Sequence, residues 1–320
     1  MIRVGVIGLG FGKAIHIPAL RLDPRVEIAA ICGLNFEKAG VVARELGIPK
    51  AYESWRELLA DKSIQAITIA TPPHVQAEIV EAAIAAHKHL FCEKPLGARS
   101  QTALAWAREA STLGLANMVD FEFPELTTWQ HAKAELSRLG SIKLVMANWQ
   151  VQASGYREKN PTWKIEPGRG GGTLRYLACH SLYYLEWLLG PMTIVGGNVS
   201  KDGSLVRAHA DLNHGGYVDL CVGGNTPNTN LHRVEIWGEK GRLLLENDTP
   251  DYMKGFVLSD PETETIIAQE PISQVDGRIT AVGGVLRKFI DWVEKSEPQT
   301  PSFRDGARIE ALMEEIERKK

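Results

Sequence analysis

The sequence predicts an α/β chain in two parts: a parallel sheet covered by helices over residues 1–121, then an α+β part over 122–320 built on a large, mostly antiparallel open sheet. Three observations predict it. A short apolar run, Val4 to Ile7, leads straight into Gly8, Gly10 and Gly12 and then into a helical pattern from Ala14 to Leu20. From there to about residue 120, apolar strands alternate with helices of about 12 residues, the pattern of βαβ units. From Ile142 onward, strands follow one another with few helices between them, which points to antiparallel pairing.

The opening segment reads as strand, glycine turn and helix, the context in which such a turn holds a dinucleotide. Glycines let the backbone approach a pyrophosphate, and the helix N-terminus offers free N–H donors. The third glycine of the usual spacing would stand at Lys13; Gly12 comes one place early. Val26 to Cys32 is the second strand. Phe36 to Leu46 follows as a helix with Asn35 as its N-cap, stopped by Gly47-Ile48-Pro49. Ser54 to Ala60 is a short helix. Gln65 to Ala70 is a buried strand cut by Thr71-Pro72-Pro73, and Val75 to Ala86 is helical. His89 to Cys92 is a strand, Gln101 to Leu113 a helix, and Met118 to Phe121 the last strand of the sheet. In parallel sheets ligands bind beyond the carboxyl ends of the strands. Gly8–Gly12, Thr71–His74 and Glu93-Lys94-Pro95 all fall there.

The second half holds expected strands at Ile142 to Val151, Met192 to Val199, Ser204 to Leu212, Tyr217 to Val222, Leu231 to Glu235, Arg242 to Glu246 and Gly255 to Leu258. A strong helix, Leu174 to Leu189, lies among them, and Ala307 to Arg318 closes the chain.

Composition narrows the function. At 320 residues with 44% hydrophobic and 23% charged side chains, the chain is long enough for two cores and ordinary for a globular protein. A net charge of −3 gives no nucleic-acid footprint. No apolar run reaches the roughly 20 residues of a membrane span. The first strand starts almost at the first residue, which argues against a signal peptide and for a cytoplasmic protein. Cys32, Cys92, Cys179 and Cys221 are scattered, as expected of reduced thiols. His87-x-His89 has no third ligand in view, so no metal site is expected.

Taken together, the motifs resemble the glucose-fructose oxidoreductase / inositol dehydrogenase (Gfo/Idh/MocA) family over essentially the whole chain. The matching pieces are Gly8-x-Gly10 with His16-x-Pro18-Ala19-Leu20, Ala70-Thr71-Pro72-Pro73-His74, and Glu93-Lys94-Pro95-Leu96-Gly97. In the second half they are Gly170-Gly171-Gly172 leading to His180, then Trp187-Leu188-Leu189-Gly190 and Gly238-Glu239-Lys240-Gly241. The resemblance implies a Rossmann NAD(P)-binding domain and hydride transfer at a hydroxyl or ketone carbon of a sugar, inositol or nucleotide sugar. It implies that Gly8, Gly10, Phe11, Gly12, Gly33, Asn35, Lys38, Thr71, Pro72, His74 and Glu93 serve the cofactor. It places Lys94, after a cis peptide to Pro95, beside the reacting oxygen, where an ammonium stabilises a developing alkoxide. His180 becomes the proton donor or acceptor. Where the family has an aspartate four residues earlier, this chain has Tyr176; helical spacing puts the two on one face. Trp163, Arg169, Arg175 and Glu122 are candidates to touch substrate. In relatives the open sheet face mediates dimers or tetramers, so a homo-oligomer is expected.

An acidic residue at the end of the second strand normally holds the ribose 2′-hydroxyl of NAD. That position is Gly33 here, with Asn35 and Lys38 near, which leans the expectation to NADP over NAD. Two other readings stay open: a catalytically degenerate dinucleotide or sugar sensor, which the missing aspartate supports, and a glycosidase or lyase on the same scaffold that retains its nicotinamide.

Overall fold

Six parallel strands make the first sheet of the computed structural model, which describes residues 1–97, 99–157, 162–271 and 273–319. They are β1 (Ile2–Ile7), β2 (Val26–Cys32), β3 (Lys50–Tyr52), β4 (Ala66–Ile69), β5 (His89–Cys92) and β6 (Asn117–Val119). Their order is β3-β2-β1-β4-β5-β6, the doubly wound order in which the chain reverses direction across the sheet between β1 and β4. Val4, Val6, Ile31, Ala66 and Phe91 are fully buried, as strands covered on both faces require.

The helices of this sheet start and stop as the sequence directs. Asn35 caps Phe36–Leu46 by accepting from the Lys38 N–H at 2.8 Å, and Gly47 ends it in the left-handed conformation at φ 63°. Ser54 caps Trp55–Ala60. The first helix differs from expectation. It opens as a π-turn over Gly12–His16 and becomes α-helical only at Ile17–Leu20.

The second sheet has eight strands: β7 (Ile142–Gln152), β8 (Met192–Val199), β9 (Leu205–Leu212), β10 (Tyr217–Gly223), β11 (Asn225–Gly238), β12 (Gly241–Asn247), β13 (Val257–Asp260) and β14 (Thr265–Gln269). The order is β14-β13-β12-β11-β7-β10-β9-β8. Every pairing is antiparallel except β7 with β10. β9 alternates exposed and buried residues along its whole length, so one face lies on the core and the other does not. The expected helix over residues 174–189 forms, again with a π-turn first, Leu174–Ala178, before Cys179–Leu189.

The chain divides into two compact units, residues 1–122 with 278–310, and residues 123–277 with 311–320. The break after 122 falls one residue from the expected boundary. The C-terminal region, expected wholly in the second domain, instead gives residues 278–310 to the first. The reason is apolar. The helix Gly277–Lys295 buries Val282, Val285, Leu286, Phe289 and Ile290 in the same core as Val4, Val6, Ile31 and Phe91.

Candidate active site

In the first unit, the loops after β1 and β4 flank the point where strand order reverses. Gly8 has φ +123°, and a Cβ there would stand 2.4 Å from the Ala70 carbonyl oxygen, so the turn admits only glycine. Gly10 is exposed and faces open space, with nothing within 4 Å of where a Cβ would be. The Thr71 hydroxyl oxygen is buried and has no hydrogen-bond partner. An open glycine, an unused hydroxyl and a helix start within one loop cluster fit a pyrophosphate. Phe11 is half-buried, its ring edge-on to His16 at 5.6 Å. Pro72 starts the helix Pro73–Ala85, and His74 is exposed in its first turn.

At the end of β2, a Cβ on Gly33 would lie 2.4 Å from Leu9 Cγ, so an acidic side chain has no room there without moving Leu9. Leu34, Asn35 and Lys38 are exposed. The Asn35 side chain is occupied in capping the helix, which leaves the Lys38 ammonium as the polar group of that pair with no role inside the helix.

Glu93 and Lys94 follow β5, and the Lys94–Pro95 peptide is cis, as expected. Lys94 is half-buried. Gln76, fully buried, donates from Nε2 to the Glu93 carbonyl oxygen at 2.6 Å and accepts from the Gly97 N–H at 2.6 Å. The Glu93 carboxylate accepts from His16 Nε2 at 2.9 Å, and the Asp120 carboxylate stands 3.8 Å from the same nitrogen. His16 is wholly buried. Burial lowers its pKa, but the carboxyl groups of Asp120 and Glu93 outweigh burial and raise it to about 9, so the ring is an imidazolium at neutral pH. Burial lifts Asp120 to about 7 against the opposing pull of His16. Glu122, also buried, is held well above the usual carboxylate range by burial and by Asp120, and the Lys94 charge opposes that shift. The donor atoms of His16, Glu93 and Asp120 lie within 4.8 Å of one another.

In the second unit, Tyr176 sits on the π-turn, half-buried, with its ring edge-on to Trp163 at 6.1 Å and the Lys164 ammonium 5.5 Å from its centroid. His180 is 4% exposed and lies edge-on to Phe123 at 5.3 Å and tilted to Trp149 at 6.2 Å. Each residue thus has its own aromatic neighbours. π-turns inside helices recur at functional sites, and both units carry one at a candidate residue. Around His180 the core is aromatic. His232 stacks on Trp149 at 4.4 Å and 7°, and its Nε2 is 2.9 Å from the Tyr184 hydroxyl. Arg169 pairs with Glu166 at 3.5 Å and Arg175 with Glu317 at 3.3 Å, so both expected substrate-contacting guanidiniums already have carboxylate partners.

The sequence pointed to Lys94 and Glu93 but not to Asp120 or Gln76, and it gave His16 no role beyond a family motif. A histidine four residues past the last glycine of the turn is the one signal that precedes the structure.

A doubly wound sheet with a glycine turn at its reversal point, joined to a domain on an open antiparallel sheet, defines a dinucleotide-dependent two-domain protein. Family models agree: an oxidoreductase family NAD-binding Rossmann fold matches residues 2–121, and the C-terminal α/β domain of the same family matches 135–319. The chain belongs to the Gfo/Idh/MocA family and is a nicotinamide-dependent oxidoreductase. It is 31% identical over 344 aligned positions to an uncharacterized oxidoreductase of Synechocystis sp., covering 98% of this chain and 92% of that one. It is 32% identical to a D-xylose 1-dehydrogenase (NADP(+)) of Haloferax volcanii over 58% of this chain and 57% of the relative. Among solved structures, a levoglucosan dehydrogenase in complex with NADH and levoglucosan superposes with a TM-score of 0.84 at 22% identity, covering 98% of this chain and 95% of the other. No helix among the described residues is long and apolar enough to cross a membrane.

Proposed function

We propose that the protein moves a hydride between a nicotinamide cofactor and a hydroxyl or ketone carbon of a sugar, inositol or nucleotide-sugar-like substrate, in the cytoplasm and as a homo-oligomer. The observation that carries this reading is the buried framework around Lys94 in a chain of this family. Gln76 grips the backbone on both sides of the lysine, and His16 holds the carboxylate just before it. Relatives that act on D-xylose and levoglucosan support the substrate class.

The bound nicotinamide supplies the hydride acceptor or donor. Lys94 polarises the reacting oxygen and stabilises the negative charge that gathers there. His180 carries the proton to or from that oxygen, with Tyr176 assisting. Glu122, its buried carboxyl pushed toward the neutral form, contacts a sugar hydroxyl. Gly8, Gly10, Gly12, Phe11, Thr71, Pro72 and His74 receive the dinucleotide, and the bare Gly33 with Lys38 favours the 2′-phosphate of NADP.

Two measurements test the reading. Lys94→Ala should lower turnover by about 10²–10³ while cofactor affinity stays close to wild type; full activity would refute the role of Lys94. NADPH and NADH titrated by nicotinamide fluorescence should show tighter NADPH binding, and a clear NADH preference would reverse the cofactor assignment.

A further inference from the structure

We propose that His16 is a positioning residue for Lys94. By donating from Nε2 to Glu93 it fixes the residue from which the lysine springs. This rests on the reading that Lys94 acts on the substrate oxygen. The geometry is specific. The His16 ring is wholly buried and held edge-on by Phe11 at 5.6 Å, 89°, and by Phe91 at 5.4 Å, 77°, so it cannot swing away from the carboxylate. Its Nε2 meets Glu93 Oε1 at 2.9 Å. Gln76 meets the Glu93 carbonyl at 2.6 Å. Residue 93 is therefore restrained at its side chain and at its main chain, and Lys94 begins at the next bond. His16 is also the last residue of the π-turn that starts at Gly12. One side chain thus ties the glycine turn to the lysine.

The titratable groups facing the ring are Glu93 from the end of β5 and Asp120 from the segment after β6, with Glu122 and Lys94 beyond them. While the ring is charged it offsets two carboxyl groups that otherwise repel each other across a buried space. Once it is neutral, Nε2–H can still donate to Glu93, but the bond is no longer charge-assisted and the offset to the two carboxyl groups is gone. A residue that only filled space would respond to size and not to charge.

The test uses H16Q, E93Q and the double variant. Glutamine at 16 keeps an amide near the position of Nε2 but carries no charge; E93Q keeps the acceptor oxygen. The first readout needs no substrate: the rate of acetylation of Lys94 by acetic anhydride in the apo protein, read by peptide mass spectrometry. The second is turnover with NADP and D-xylose, levoglucosan or myo-inositol, whichever the wild type oxidises. H16Q should change the Lys94 acetylation rate and lower kcat by about tenfold or more, with NADPH affinity within roughly threefold of wild type. The pH profiles of wild type and H16Q should differ on the alkaline side, where the His16 ring loses its proton. Because His16 acts through Glu93, the double variant should be no worse than the poorer single one. Unchanged acetylation, effects that multiply in the double variant, or pH profiles that coincide on the alkaline side would each overturn the proposal. K94A separates the two ideas. A fully active K94A removes the reading beneath; an inactive K94A with an H16Q indistinguishable from wild type removes only the role of His16.

Discussion

Replacing His232 by glutamine should change how the protein responds to acid, by an amount the structure fixes. The ring is 2% exposed, stacked on Trp149 and bordered by Phe123 at 5.2 Å and Phe256 at 5.1 Å. Burial there lowers its pKa from 6.5 to about 3, so it stays neutral in the folded chain across the physiological range. The unfolded chain binds a proton at 6.5 that the folded chain refuses until about 3; stability is therefore complete above 6.5 and drains away as pH falls through that window. Between pH 8 and pH 5 the loss is about 2 kcal/mol, from the logarithm of the two binding polynomials. His16 works with the opposite sign. Its folded pKa of about 9 gives stability that is fully present below 6.5 and lost as pH rises through 9. The wild-type curve alone mixes these two effects, and the difference between wild type and H232Q isolates one of them. Glutamine keeps a polar atom for the Tyr184 hydroxyl, 2.9 Å from Nε2 in the wild type, and cannot take a proton. Urea denaturation followed by near-ultraviolet circular dichroism should show the H232Q penalty shrinking by about 2 kcal/mol from pH 8 to pH 5. A penalty that does not change with pH would refute the claim that the buried ring excludes the proton.

Gly8→Ala should abolish dinucleotide binding and weaken the first unit, since the new methyl would stand 2.4 Å from the Ala70 oxygen at a φ of +123°; nicotinamide fluorescence and a melting curve check both. Lys38→Glu should weaken NADPH about tenfold and leave NADH nearly untouched, because only NADPH carries a 2′-phosphate for that side chain to meet. Glu270→Ala should cost about 2 kcal/mol or more. Its Oε1 accepts from the Thr128 N–H at 2.6 Å and hydroxyl at 2.7 Å and so caps the helix Thr127–Glu135, and thermal melting reads the loss.

Where the sequence carried strong local signals, the fold followed them. Asn35 and Gly47 bracket their helix as read, and β2 and β8 run over the expected residues. The helix Gly277–Lys295 was not legible. Gly277, Gly283 and Gly284 break a helical reading on propensity alone. The helix forms because its apolar face completes the core over β1 and β5, and Gly283 lets it come within contact of Leu22. β14 was missed for the converse reason. It is an edge strand with two exposed, two half-buried and one exposed residue in sequence, so no alternation marks it. The helix Thr127–Glu135 lacks a capping residue of its own, and its cap arrives from Glu270, 142 residues away.

The candidate site divides along the same line. The glycine turn was visible because a tight turn needs glycine, and Lys94 because the Glu-Lys-Pro run at a strand's end matches the family's motif. What holds Lys94 was invisible because it is long-range. His16 and Glu93 are 77 residues apart, and Gln76 and Glu93 are 17 apart across a helix. Composition and period say nothing about such pairs. The physical cost of the arrangement is the clue that sequence reading lacks. Fully burying an imidazole, a glutamine amide and the Asp120 carboxyl beside the half-buried Glu93 is unfavourable unless each polar group meets another. Here His16 Nε2 meets the Glu93 carboxylate and the Gln76 amide meets the main chain of Glu93 and Gly97, while His16 Nδ1 and Asp120 Oδ1 stay buried without a hydrogen-bond partner. A buried cluster whose polar atoms are only partly satisfied costs stability, and that cost fits groups retained for the proposed role of Lys94 rather than for the fold.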